Sequence, residues 1–117
     1  MNERARRKEL LAQYRQTRPE AGVYRIINIR NGKALLGSST NLASERSKLQ
    51  FAKSSRNPGV LEWRLLKDIG QFGLDAFSFE VLEVLEMKSE TTTAEIRRDL
   101  ATLESPWRER FDPALLH

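Results

Sequence analysis

Apolar and polar positions change their period several times along the chain, and each change marks an element. Residues 3–17 are rich in helix formers, with Leu10, Leu11 and Tyr14 on one side. That stripe is too narrow for a core helix but wide enough to dock one. Pro19 ends it. Over 22–29 Val23, Ile27 and Ile29 alternate with Tyr24, Ile26 and Asn28, as a strand requires. Asn31-Gly32 is the strongest short signal for a type I′ turn, because these residue types tolerate positive φ at least cost. A second strand over 33–37 follows, and a two-residue turn sets Leu35 opposite Asn28 and Tyr24 opposite Ser39. Facing residues share a side of the sheet, so Tyr24 and Leu35 are expected on one face, Leu35 in the core. Thr40 or Asn41 can cap a helix to about Lys53, and "SSRNPG" at 54–59 is a turn cluster. A third helix is predicted to carry Val60, Leu61, Leu65, Leu66 and Ile69 until Gly70 and Gly73 stop it. "AFSFEVLEVLE" at 76–86 reads as a third strand with Phe77, Phe79, Val81 and one of Val84 or Leu85 inward. A last helix starts near "TTT" at 91–93 and holds Ile96, Leu100, Leu103 and Trp107 at helical spacing. Trp63 and Trp107 are expected to be core aromatics. The order α-β-β-α-α-β-α describes an α/β (α+β) domain, a small three-stranded antiparallel sheet flanked by helices.

Length and composition add the boundaries. The chain of 117 residues suits one domain, with a basic helical segment over 1–19 and one globular unit over 20–117. With 39% hydrophobic and 31% charged residues it reads as a soluble globular protein. No apolar run approaches the ~20 residues of a membrane span, and "MNERARRKELL" lacks the apolar stretch of a secretory signal. A cytoplasmic setting is the expectation. The absence of cysteine excludes disulfides, thiolate catalysis and cysteine-bound zinc, and one histidine, His117, builds no histidine cluster. Any metal is held by oxygen.

Charge is unevenly placed. Residues 1–18 hold Arg4, Arg6, Arg7, Lys8, Arg15 and Arg18 against Glu3 and Glu9, which equals the +4 of the whole chain. The remaining 99 residues balance at 14 basic and 14 acidic. A basic end on a neutral body suits a polyanion, since each cation that displaces a counterion adds salt-sensitive affinity. It equally describes a solvated helix face.

This order of elements, and the words within it, resemble the GIY-YIG nuclease family. "GVY" at 22–24 stands where the family has its first triplet and "LLG" at 35–37 where it has the second. "GSSTNL" resembles the turn into the first catalytic helix, "FGLDAFSFEVLE" at 72–83 the later strand, and "LESPW" at 103–107 the family's late E-x-x-W segment. Together they cover nearly the whole chain after residue 20, in order. "LLGSS" in place of a tyrosine triplet is similar to a divergent subgroup described beside LuxR-type regulators.

The resemblance implies a DNA endonuclease, a phosphodiester hydrolase using Mg²⁺ or Mn²⁺, with Tyr24 contacting the nucleophilic water, Arg46 stabilising phosphate charge and Glu104 as the metal carboxylate. Those residue types suit the roles: a guanidinium fork matches phosphate oxygens, and a hard carboxylate holds Mg²⁺ while leaving room for water and substrate. Arg4, Arg6, Arg7, Lys8, Lys48, Lys53 and Arg56 are the candidate nucleic-acid contacts. The implied partner is nucleic acid, DNA first, with no membrane and no small-molecule cofactor; oligomeric state stays open. Three family positions lack their residue. Leu35 has no hydroxyl, the family's histidine has only Ser55 as a loose positional match, and the family's late asparagine has no clear equivalent. Loss of one acid–base group costs ~10²–10⁴-fold in rate, so a degenerate domain that binds nucleic acid or a regulatory partner is the alternative function. A protein-interaction module docking through the N-terminal helix is a remoter one. Each residue also has a plainer reading: Tyr24 as a packing tyrosine, Arg46 and Lys48 as solvated helix surface, Glu104 as exposed charge. Pro106 adds the expectation that the last helix bends at Glu104 or starts anew at Pro106.

Overall fold

The computed structural model describes residues 19–86 and 91–117. The expected helix over 3–17, and with it Arg4, Arg6, Arg7 and Lys8, lies outside the described residues. Strand β1 (Gly22–Asn28) pairs antiparallel with β2 (Ala34–Ser39) on one side and β3 (Phe77–Val84) on the other, giving the order β2-β1-β3. β1 is the central strand with elements packed on both of its faces, and five of its seven residues are buried.

The hairpin differs from its expected register. Tyr24 lies opposite Gly37 and Ile26 opposite Leu35, two residues away from the pairing that a two-residue turn would set. Ile29 to Gly32 form a four-residue loop instead, closed by Asn28 N–H to Lys33 O and Gly32 N–H to Asn28 O, both 2.8 Å. Side-chain bonds decide this. Asn28, fully buried, accepts the Arg30 N–H at 2.9 Å, and Asn31 accepts the Lys33 N–H at 2.9 Å, so the asparagines stabilise a longer turn in which only Gly32 takes positive φ, 76°. A shift of two preserves the faces, and Tyr24 and Leu35 remain on one side. On the β3 side the pairing steps between Val23 and Tyr24, leaving Leu82 as a bulge.

Helix α1 (Leu42–Ser55) begins where the Asn41 side chain accepts the Ser44 N–H at 3.0 Å and ends at Arg56, φ 57°. The expected single helix from Val60 to Ile69 is divided. Two 3-10 turns, Pro58–Val60 and Trp63–Leu65, precede α2 (Leu66–Phe72). Asn57 caps the Pro58 turn through the Gly59 N–H at 3.0 Å, and Leu61 then extends, so Leu65 turns fully inward while Val60 and Leu66 stay exposed. Gly73, φ 84°, closes α2, whereas Gly70 lies within it.

Helix α3 (Thr93–Arg110) carries a capping box, Thr92 with Glu95, and runs unbroken through Pro106. It does not begin anew at Pro106. Arg25 and Glu83 share the sheet face opposite Tyr24, and α3 covers that face through Trp107, which donates to Glu83 at 2.7 Å and stacks on Phe111 beneath Arg25. The main core, including Ile26, Leu35, Leu42, Leu49, Leu65, Ile69 and Phe77, lies on the Tyr24 face. A smaller cluster joins Ala21, Ile96 and Leu100 under α3. Phe77 and Leu65, almost wholly buried, each contribute about 1.5–3 kcal/mol by that burial. Among the described residues no helix is long and apolar enough to cross a membrane.

Candidate active site

Tyr24 reaches from the central strand with its ring stacked on Phe79, 5.2 Å between centroids, and only 9% of the residue exposed. Its hydroxyl lies across the backbone of Gly37. A Cβ at position 37 would come within 2.9 Å of the hydroxyl oxygen, so the glycine of "LLG" is what admits the ring. The same register that corrects the hairpin therefore places glycine, rather than Ser39, under the tyrosine.

An open cleft of about 320 Å³ adjoins the hydroxyl, lined among others by Tyr24, Leu35, Glu45, Lys48, Leu61 and Glu62. Glu45 is part of its wall. One carboxylate oxygen lies 3.4 Å from Lys48 Nζ and 3.5 Å from Ser39 Oγ, which donates to it. Burial, then the negative charges of Glu45, Glu104 and Glu62, and the hydrogen bond to Glu45 push the Tyr24 phenol up to about 12. Each cause favours the neutral form. At neutral pH Tyr24 is thus an intact O–H group.

Glu104 comes from α3. Its carboxylate is 3.4 Å from Arg108 Nη2, which also donates to the Leu36 carbonyl at 3.3 Å, so Arg108 ties Glu104 to the edge strand β2. Arg46 is exposed, its guanidinium 5.3 Å above the Phe79 ring, in a separate hollow shared with Lys53. Lys48 thus lines the cleft with Tyr24, Glu104 acts on the phenol only through its charge and is not part of the cleft lining, and Arg46 and Lys53 stand on the other flank of α1. Arg56 stands at the end of α1, and the Ser55 hydroxyl is engaged with the Phe51 carbonyl at 2.6 Å. Trp63 is not a core residue: 73% of it is exposed. Trp107 is half-buried on the opposite sheet face, beside a hollow of about 370 Å³ that contains Asp99 and Arg110 but none of the residues around Tyr24.

Glu45, Glu62 and Arg108 are the site residues that motif reading missed. Glu45 had a signal. It lies on the helix stripe of Leu42, Leu49 and Ala52, where a carboxylate facing a core demands partners.

No family model matches the chain, and no curated protein matches it. Among solved structures it is similar to the catalytic domain of intron endonuclease I-TevI in a mutant form, with a TM-score of 0.44 and 17% identity over 75% of this chain and 88% of that one. A likeness of that degree transfers no residue role.

Proposed function

We propose that this chain binds DNA along the Tyr24 cleft and hydrolyses its phosphodiester bonds with one divalent cation, Mg²⁺ or Mn²⁺. The observation that carries the reading is a tyrosine, kept neutral by burial and the charge of Glu45, that lines one open cleft together with that carboxylate and Lys48. A phenol with a pKa of about 12 does not ionise to act as a base by itself. It hands its proton to Glu45 while accepting one from a water, so the water attacks phosphorus as its O–H bond breaks, and Glu45 holds the proton. Lys48, 3.4 Å from Glu45, supplies positive charge where the phosphate enters. Arg46, held on Phe79, reaches the substrate backbone from the flank.

Glu104 is the carboxylate that would hold the cation. A hard ion fits one carboxylate when water and phosphate oxygens complete its shell, and among the described residues no group of three or more His, Asp or Glu side chains converges to hold a metal. When bound, the cation supplies charge stabilisation to the departing oxygen. Arg108 keeps the Glu104 carboxylate in place through their ion pair and its bond to the Leu36 carbonyl.

Incubation of supercoiled plasmid with the protein and Mg²⁺ or Mn²⁺ tests this. The expected result is metal-dependent nicking that falls ~10²-fold or more in Glu104→Ala and in Tyr24→Phe. A second reading, DNA binding without cleavage, is favoured by the apolar Leu35 in the cleft wall and by Arg46 standing outside it. Intact plasmid and intact single strand at high protein excess, with salt-dependent retardation of the same DNA, would establish that reading instead.

A further inference from the structure

Trp63 is the anomaly of the surface. A tryptophan ordinarily buries most of its large apolar area, yet this one is 73% exposed on a 3-10 turn, with Val60 and Leu66 each 41% exposed nearby in the chain. It directly follows Glu62, which lines the Tyr24 cleft and pairs with Arg64 at 3.1 Å; the Arg64 guanidinium lies 5.9 Å over the indole. Along this part of the chain the charge is one-sided. From Lys48 to Lys67 the sequence has Lys48, Lys53, Arg56, Arg64 and Lys67 against Glu62 alone, whereas residues 19–47 and 68–117 hold nine basic and 13 acidic side chains. The balanced charge of the body thus conceals one basic segment, and the exposed aromatic sits within it.

We propose that Trp63 is a stacking platform for an unpaired base, so that the DNA entering the Tyr24 cleft is single-stranded or gapped rather than intact duplex. Bases within a duplex hide their faces in the stack, while an unpaired base offers one, and stacking on an aromatic side chain contributes about 1–3 kcal/mol per base whatever its identity. The basic residues follow the phosphates on either side. A second copy of this chain suits the patch poorly, since a two-fold interface would press the same basic segment against itself. The cleft's place in this inference rests on the nuclease reading; the stacking itself does not.

The test is fluorescence anisotropy of a labelled short single strand and of the same sequence as a duplex, without metal, with the full chain, Trp63→Ala and Trp63→Phe. The expected result is about tenfold weaker single-strand binding for Trp63→Ala, less than about twofold change on the duplex, and near-complete retention by Trp63→Phe. Circular dichroism checks that each variant is folded, and the phenylalanine variant keeps an aromatic ring in place. Equal loss on both DNA forms, or no loss, overturns the inference. So does a Trp63-dependent dimer of the DNA-free protein in sedimentation, which would give the face to a second copy. If neither plasmid nor the labelled single strand is cut with Mg²⁺ or Mn²⁺ while the Trp63 effect stands, the nuclease reading falls alone; if cleavage stands and Trp63 is neutral, the stacking role falls alone. Absence of salt-sensitive binding to either probe overturns both.

Discussion

Glu45 illustrates how one side chain can be legible by type and not by role. It is three residues after Leu42 and four before Leu49, both buried, so the helix aims it at the sheet rather than at solvent. There it has Tyr24, Ser39 and Lys48 as partners. Arg46, the residue that motif spacing selects, is one position on and faces the Phe79 flank; Lys48 is about 200° further round the helix and faces the cleft. Motif spacing counts residues along the chain, but angular position on α1 decides which cation meets the cleft. Glu45→Gln removes a negative charge and a strong acceptor from the phenol, leaving burial and the two other glutamates. The Tyr24 pKa should therefore move down from about 12, read by ultraviolet titration in a Tyr14→Phe background where Tyr24 is the sole tyrosine. If Glu45 takes the proton in cleavage, the same variant loses ~10²–10⁴-fold in nicking rate. An unchanged titration with an unchanged rate would remove Glu45 from the site.

Among the elements, sheet membership and strand order along the chain were readable because period-two alternation in 22–29 and 76–86 has few alternatives; the inner face of β3 was readable only in part, since Phe77 is buried while Val81, expected inward, and Val84, the alternative to Leu85, are exposed. The hairpin register was not. Asn31-Gly32 signals a tight turn, but a turn signal does not reveal that a buried Asn28 will bond the loop backbone and lengthen it. The third helix failed for a related reason: Asn57-Pro58-Gly59 closes a local turn, and Leu61 then extends, so apolar residues that look like one stripe point in different directions. Pro106 is tolerated because it lies near the end of α3, where the carbonyl it orphans belongs to Thr102, an exposed residue that water can reach. The start of α3 is where its stability is most easily tested. Glu95 N–H to Thr92 Oγ1 at 3.2 Å and Thr92 N–H to Glu95 Oε2 at 3.3 Å satisfy two otherwise free donors. Thr92→Ala should cost about 1 kcal/mol and lower Tm by about 4 °C in a thermal melt. Nicking should survive, because Glu104 is more than three turns further along. An unchanged melt would mean that the box is not formed in solution.

For the whole molecule, the end of the sheet remote from Thr92 is held by a polar junction that joins three distant parts of the chain. Asp68 on α2, 7% exposed, accepts from Asn31 Nδ2 of the hairpin loop at 3.2 Å and lies 3.3 Å from His117 Nε2. His117 is brought there by its own backbone, whose N–H donates to the Ala34 carbonyl at 3.0 Å, beside the parallel bridge of Leu116 to Ala34. Its position far along the chain hid this, since nothing in local spacing pairs 117 with 68. Burial alone would raise the Asp68 pKa, but the bond from Asn31, the neighbouring Asn28 amide and the electrostatic influence of His117 and of Lys33 outweigh it and hold the carboxyl below its ordinary 3.8. Asn31 is the stronger amide partner, because Asn28 Nδ2 has no partner in bonding geometry. A carboxyl whose pKa is lower folded than unfolded stabilises the fold above its unfolded value, and that contribution disappears as pH falls through the folded value. Asp68→Asn should accordingly unfold at lower urea than the wild type at neutral pH, and the gap should close as pH is taken from about 5 to well below 3.8. The acid limb belongs to this junction and not to the cleft, so the same gap should appear in the Glu104→Ala background. A gap that stays constant across that range would show that Asp68 acts by shape alone, with no charge in the junction.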